Sequence, residues 1–196
     1  GLCAGLVPFE VTDANGCVSN STADVIDEAA PVIDSITFIE PLCNGYSTGS
    51  ASVYTSGGTA PFTYQWDDPA SQTAQTAVAL QDGLYAVQVT DANGCIAFQL
   101  VNLTEPSQLF AVADLDRVIC YGDSTQVWAS GQGGTPFLNG TYTVTWDNLP
   151  NIGSAPVTVA PLTTTQYCAT VVDANGCLPV SSCVTITVTP PLALTI

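Results

Sequence analysis

The sequence predicts an all-β protein built of tandem sandwich repeats, and three observations carry that prediction. Asp-Ala-Asn-Gly-Cys occurs three times, at Asp13–Cys17, Asp91–Cys95 and Asp173–Cys177, and recurrence at a matched place among strand-like runs marks a repeat array. Each copy follows a run that alternates like a half-buried strand, such as Leu84-Tyr85-Ala86-Val87-Gln88-Val89-Thr90, and precedes a second apolar run such as Ile96-Ala97-Phe98-Gln99-Leu100-Val101. No long stretch has the 3.6-residue apolar period of a helix, and Gly and Pro punctuate the chain every few residues.

The order of elements follows from the repeat register. Leu80-Gln81-Asp82-Gly83-Leu84-Tyr85 aligns with Leu2-Cys3-Ala4-Gly5-Leu6-Val7, so residues 1–30 read as the C-terminal part of a repeat plus a linker. Complete units span 31–105 and 106–190, and each opens with a proline before an apolar strand, at Pro31-Val32-Ile33 and at Pro106 to Phe110. Residues 191–196 read as the start of a following repeat, so the expectation is an array cut at both ends.

The middle unit runs Leu42-Cys43-Asn44-Gly45, a strand from Ser50 to Thr55, Gly57-Gly58-Thr59-Ala60-Pro61-Phe62, a strand carrying Tyr64 and Trp66, a polar loop, and a hairpin from Gly83 to Cys95. The third repeats this order with Ile119-Cys120-Tyr121-Gly122, Gly133-Gly134-Thr135-Pro136-Phe137, Trp146-Asp147 and Tyr167 to Cys177. Its additional residues around Asn139-Gly140 predict a longer hairpin. In each hairpin, Asn-Gly between apolar runs predicts a tight turn with both residues at positive φ, and the cysteine opens the returning strand.

Six or seven short antiparallel strands in roughly 80 residues, with a central tryptophan and a late tyrosine, describe an immunoglobulin-like sandwich. Trp66, Trp146, Tyr85 and Tyr167 are the expected core aromatics. Tyr85, Val87 and Val89 share one face of their strand and should pack on Trp66. Trp128 has no counterpart in the middle unit and is the candidate for an exposed contact.

The string Gly57-Gly58-Thr59-Ala60-Pro61-Phe62-Thr63-Tyr64-Gln65-Trp66, followed by a polar stretch and by Leu80–Tyr85 leading into Val89-Thr90-Asp91-Ala92-Asn93-Gly94-Cys95, resembles the SprB repeat of very large surface proteins in gliding Bacteroidetes. The match is close over 41–95, partial over 1–17, and looser, PKD-like, over 118–177. The resemblance implies an extracellular place on the bacterial cell surface, reached through type IX secretion, as an adhesin in gliding motility. Its implied partners are neighbouring repeats of the same chain, the gliding and secretion machinery, and a surface polysaccharide or solid substrate. Asp34-Ser35-Ile36 and Asp123-Ser124-Thr125 are similar to the O-glycosylation motif of exported Bacteroidetes proteins, which makes Ser35 and Ser124 the expected modification sites.

Eight cysteines in a chain without histidine, none of them in Cys-x-x-Cys spacing, favour disulfides over zinc. Matched positions in the two complete units predict Cys43–Cys95 and Cys120–Cys177, and the two arms of the last hairpin predict Cys168–Cys183. Each would contribute about 2–4 kcal/mol in the chain-entropy account. Cys17 is expected to partner an upstream cysteine, and Cys3 to pair with Cys17 or with a residue outside this sequence.

Seventeen acidic residues against one base, Arg117, give a net charge of −16. Such a surface repels phosphate backbones and anionic lipid, so neither nucleic acid nor a membrane is an expected partner. Divalent cations are the natural counter-ions, and Asp24, Asp27 and Glu28 in the first link are the candidate Ca²⁺ ligands; no other cofactor is expected.

Without histidine or lysine there is no triad base, Schiff-base lysine or phosphate clamp, so no enzyme is expected. Asp67-Asp68 and Asp114-x-Asp116 are the nominal carboxylate pairs for glycoside hydrolysis, and their spacing on strands and turns is wrong for that role. The functional expectation is a stalk or adhesive segment of a secreted surface protein. The rival is a carbohydrate-binding or spacer module of a secreted hydrolase.

Overall fold

The structure is a computed structural model and describes residues 5–25, 30–150 and 153–191. Every regular element among these residues is a strand. They are β1 (Gly5–Thr12), β2 (Val18–Val25), β3 (Val32–Ile39), β4 (Gly49–Ser56), β5 (Thr63–Trp66), β6 (Thr76–Leu80), β7 (Gly83–Thr90), β8 (Ile96–Leu103), β9 (Phe110–Ala113), β10 (Arg117–Cys120), β11 (Thr125–Val127), β12 (Ala129–Gln132), β13 (Thr143–Trp146), β14 (Val157–Val159), β15 (Thr165–Val172) and β16 (Val180–Thr189). They divide into two compact units, one comprising Gly1–Pro41 and Ser47–Thr104, the other Leu42–Tyr46 and Glu105–Ile196.

In the first unit β3-β4-β6 form one sheet and β5-β7-β8 the other. Alternation decides which side chains meet. Ala51 and Val53 of β4, Trp66 of β5 and Tyr85, Val87 and Val89 of β7 are buried together with Leu80, Val101 and Leu103, while the intervening residues face outward. Trp66 is fully buried, and its indole Nε1 donates to Ala74 O at 2.9 Å. Tyr85 Oη donates to Gln81 O, four residues upstream, the tyrosine corner found at the start of the sixth strand in immunoglobulin-like sandwiches. The hairpin β1-β2 forms its own two-stranded sheet, with Leu6, Phe9, Val11 and Val18 exposed.

The second unit repeats the plan with a split strand. β9 pairs with β12 and β11 with β14 in one layer, and the other layer is β10-β16-β15-β13. β10 runs parallel to β16 and covers its edge. Trp146, Tyr167, Ala169, Val171, Val184 and Ile186 fill the core with Val127, Ala129 and Val144. Trp128 lies between β11 and β12 and is 38% exposed. The residues around Asn139-Gly140 form a closed turn instead of the expected longer hairpin: Phe137 N donates to Thr141 O at 2.9 Å and Gly140 N to Phe137 O at 2.7 Å.

The repeated pentapeptide departs from the Asn-Gly turn expected of it. β1-β2 and β7-β8 are joined by five residues, since Thr12 pairs with Val18 and Thr90 with Ile96. Gly94 N donates back to Asp91 O, which places Ala92 and Asn93 at the centre of the turn. Only the glycine takes positive φ, 83°, 88° and 68° at Gly16, Gly94 and Gly176. A common-type turn followed by one left-handed residue is the usual longer hairpin connection. The asparagine is thereby released for another task.

That task is to bind the Gly-Gly-Thr segment. Asp91 Oδ1 accepts from Asn93 N and Cys95 N at 2.9 and 2.8 Å, while Oδ2 reaches Thr59 N at 3.0 Å. Ala92 N donates to Thr59 O at 2.8 Å and Asn93 Nδ2 to Thr59 Oγ1 at 2.9 Å. The second unit reproduces the arrangement with Asp173, Ala174 and Asn175 on Thr135, at 3.0, 2.8 and 3.0 Å. A Cβ on Gly58 would sit 3.2 Å from Asp91 Oδ2 and one on Gly134 2.8 Å from Asp173 Oδ2, and both glycines have positive φ. The second glycine of Gly-Gly-Thr is therefore required by close approach as well as by backbone conformation.

Burial raises the pKa of Asp91, and the hydrogen bonds from Thr59, Cys95 and Asn93 outweigh it and hold the carboxyl below the ordinary aspartate range. Asp68 behaves likewise: burial raises it and bonds from Gln72 and Ala70 prevail. For a carboxyl depressed in the folded state, the stabilisation is complete above the unfolded pKa of about 4 and is lost as pH falls through the folded value.

Urea melts should therefore show constant stability from neutral pH down to about pH 5 and a steepening loss below pH 4. In Asp91→Asn, whose amide cannot accept from all three N–H groups, stability at neutral pH should fall and the acid loss should shrink. Trp66→Ala should cost about 3–5 kcal/mol by the same measurement, as emptying an aromatic core site does.

Candidate functional site

The carboxylates of the two nominal pairs are committed to structure. Asp67 Oδ1 accepts from Ala86 N at 2.7 Å, and Asp68 accepts from Ala70 N, Gln72 N and Gln72 Nε2. Asp114 pairs with Arg117 at 2.8 Å, and Asp116 Oδ1 accepts from Thr185 N at 2.7 Å. No two of these carboxylates are left converging on a substrate. Asp24 lies exposed on β2, Asp27 and Glu28 fall outside the described residues, and among the described residues no cluster of three or more His, Cys, Asp or Glu could hold a metal. Ser35 on β3 and Ser124 between β10 and β11 are exposed.

Two of the expected disulfides are corrected. Cys43 is bonded to Cys177, 134 residues away, and to neither Cys95 nor Cys120. Cys95 is disulfide-bonded to a residue other than Cys43, and Cys120 is free, so neither Cys43–Cys95 nor Cys120–Cys177 forms. Cys17 is also free, which rules out the Cys3–Cys17 pair; Cys3 itself lies outside the described residues. The physical reason lies in the loop 42–46, which belongs to the second unit. Gly45 N donates to Glu105 Oε2 at 2.6 Å, Asn44 Nδ2 to Pro106 O at 3.2 Å, and Asn175 Nδ2 to Leu42 O at 2.6 Å. Those bonds hold Cys43 against the β15-β16 turn. Matched position within a repeat identified the right pair of residue types and the wrong pair of residues. Cys168 and Cys183 face each other across β15 and β16 and are bonded. A cleft of about 330 Å³ runs beside Cys43 and Cys177, lined by Asn44, Gln108 and Leu109.

The surface best suited to a ligand is the outer face of β5-β7-β8. The register aligns Thr63, Thr90 and Ile96 in one row and Gln65, Gln88 and Phe98 in the next, with Ala86 opposite Leu100 beyond them. Phe98 is 66% exposed and Leu100 59%. Gln88 Nε2 donates to Thr90 Oγ1 at 3.1 Å, fixing the amide, and Phe62, Thr63, Gln65, Thr73, Gln88 and Thr90 line a shallow depression of about 550 Å³ on this side. These rows carry no charge in a chain of net charge −16. Amides and hydroxyls beside an aromatic ridge can hydrogen-bond hydroxyl groups and cover an apolar ring face, so the chemistry suits a neutral polyhydroxylated ligand. The equivalent face of the second unit has Thr145 opposite Thr170, Thr170 bonded to Ser181, and the Cys168–Cys183 bridge where the first unit has Ala86 and Leu100. Sequence reasoning fixed attention on the tryptophans and passed over Phe98; the alternation of Ile96, Phe98 and Leu100 opposite polar residues was the available signal.

The sandwich plan and the repeated clamp define a tandem array of immunoglobulin-like units. Within it, residues 35–71, in the first sandwich, match the model of the SprB repeat family. No curated protein matches. Among solved structures, a Dscam structure ("Structural basis for Dscam isoform specificity") is 13% identical, with 89% of this chain and 52% of that chain covered and a TM-score of 0.34. The N-terminal eight immunoglobulin domains of Down Syndrome Cell Adhesion Molecule are 14% identical over 95% of this chain and 28% of that one, with a TM-score of 0.42. The BSP domain of a biofilm associated protein is 18% identical over 85% of this chain and 30% of that one, with a TM-score of 0.24. This chain thus spans about half or less of each of these structures, and the fold rests on its own strand pairing.

Non-reducing peptide mapping should recover a Cys43–Cys177 linked pair and no Cys43–Cys95 peptide. A Cys120–Cys177 peptide would contradict the placement of the loop 42–46.

Proposed function

We propose that this chain is an adhesive and spacing segment of a secreted bacterial cell-surface protein, with no catalytic role. The observation that carries the reading is the SprB family match at 35–71, in a sandwich whose adjacent carboxylates Asp67 and Asp68 are bound by backbone amides. In this reading the clamped, disulfide-bonded units form load-resistant repeats, and the uncharged face of β5-β7-β8 meets a neutral surface polysaccharide. Gliding motility, type IX export and O-glycosylation at Ser35 and Ser124 belong to the same proposal through the SprB resemblance. The supporting features on this chain are the exposure of both serines and the absence of histidine and lysine. Calcium at Asp24, Asp27 and Glu28 remains part of the proposal only as a stiffener of the acidic link.

Phe98→Ala combined with Gln88→Ala should weaken retention on immobilised neutral polysaccharide at least several-fold while leaving the melting temperature within a few degrees, because both side chains lie on the solvent side of the sheet. Deletion of the parent gene should reduce colony spreading on agar and leave growth in liquid unchanged. Normal spreading with loss of growth on one polysaccharide would favour the hydrolase-appendage reading.

A further inference from the structure

The disulfide that overturns the expected pairing also defines a rule. Each complete repeat carries a cysteine just ahead of a glycine turn, Cys43 in the loop before β4 and Cys120 at the end of β10, and each hairpin turn carries another, Cys17, Cys95 and Cys177. Cys43–Cys177 joins the loop cysteine of the repeat 31–105 to the turn cysteine of the repeat that follows it. Beyond that pair the loop position Cys120 and the turn positions Cys17 and Cys95 are left over; Cys95 is itself disulfide-bonded, and Cys120 and Cys17 are free and exposed.

Both free sites are built like the bonded ones. In the loops, Tyr46 N donates to Cys43 O at 3.1 Å and Asp123 N to Cys120 O at 3.0 Å, with Gly45 and Gly122 at φ 74° and 89°. Each is tied to the exit of its own repeat, by Gly45 N on Glu105 Oε2 and by Tyr121 N on Thr189 O. In the turns, Cys177 N donates to Asp173 Oδ1 at 3.0 Å and Cys17 N to Asp13 Oδ1 at 2.9 Å. Asn175, which donates to Leu42 O beside the bonded cysteine, has its counterpart in Asn15, and Leu42 has its counterpart in Ile119. The bonded pair is buried, at 6% exposure for Cys43 and 9% for Cys177.

We infer that Cys120 and Cys17 are the two halves of the same junction, and that Cys120 bonds the Asp-Ala-Asn-Gly-Cys turn of a further repeat, linking units head to tail. Cys17 of a second copy presents that turn. The chemistry needs a disulfide oxidant such as oxidised glutathione. The Cys120 thiolate attacks one glutathione sulfur and expels a glutathione thiolate. The Cys17 thiolate then attacks the Cys120 sulfur of the mixed disulfide and expels the second. The two protons lost by the cysteines end on two glutathione thiols, and the two electrons reduce the glutathione disulfide. Because the two halves differ, the link is heterologous and propagates as an open chain.

The test uses two full-length variants. Cys17→Ser keeps only the Cys120 half and Cys120→Ser keeps only the Cys17 half, and both substitutions fall at exposed positions. Mixed in equal amounts in a glutathione redox buffer and resolved without reductant, they should give the Cys120–Cys17 heterodimer in about tenfold excess over either homodimer, the preference that one or two junction hydrogen bonds supply. The wild-type chain alone should give a ladder of oligomers with the same linked peptide by mass spectrometry. A statistical mixture of homodimers and heterodimers, or monomers carrying only glutathione, would overturn the proposal.

Discussion

The bond on which each sandwich depends is the one between the aspartate of the hairpin turn and the amide of the Gly-Gly-Thr threonine. A single carboxylate closes its own five-residue turn through one oxygen and ties that turn to a segment 32 or 38 residues earlier through the other. It does so at buried positions, 6% exposed for Asp91 and 2% for Asp173, where an unsatisfied carboxylate would be costly. The neighbouring alanine amide and asparagine side chain add two more bonds to the same threonine. The two most conspicuous motifs of the sequence are thus one structural device, and the glycine before each threonine is the residue that leaves room for it.

The clamp orders the strands on either side. It anchors the end of β7 to the segment leading into β5, and likewise β15 to the segment leading into β13, which sets the register that places Trp66 opposite Val87 and Trp146 opposite Ala169. With the register fixed, alternation does the rest: one face of each sheet packs the core, and the opposite face is free to carry Gln65, Gln88 and Phe98 or, in the second unit, Thr145, Thr170 and Ser181. The functional difference between the repeats therefore lies on the face that packing does not constrain. The same clamp presents Cys177 at the turn, where the loop 42–46 can reach it. The resulting covalent ring encloses residues 44–176, so a pull on the chain outside Cys43 and Cys177 passes through the bond.

The all-strand sandwich plan and the core aromatics were legible because each is a local signal: alternation around Tyr85, and a tryptophan after Gly-Gly-Thr. What stayed hidden depended on distant contacts. Asp91 and Thr59 are both visible in the sequence, yet nothing in their spacing states that they touch. Asn-Gly suggested the wrong turn because its frequency in tight hairpins masked the longer connection that Asp91 selects. The disulfides were misassigned for a related reason: equivalence between repeats was read as proximity within a repeat, whereas Glu105, Pro106 and Asn175 draw Cys43 to the following turn. Phe98 escaped notice because an apolar residue on a strand is ordinarily core.

Native-state hydrogen exchange on the amides of Thr59, Cys95, Thr135 and Cys177 tests the clamp most directly, since these are the N–H groups that the two aspartates hold. They should exchange with opening free energies close to that of global unfolding of their units, as groups that open only with the whole fold do. Exchange at the rate of exposed loop amides, with the strand amides of β7 and β15 still protected, would show that the turns open independently and that the clamp does not hold the sandwiches together.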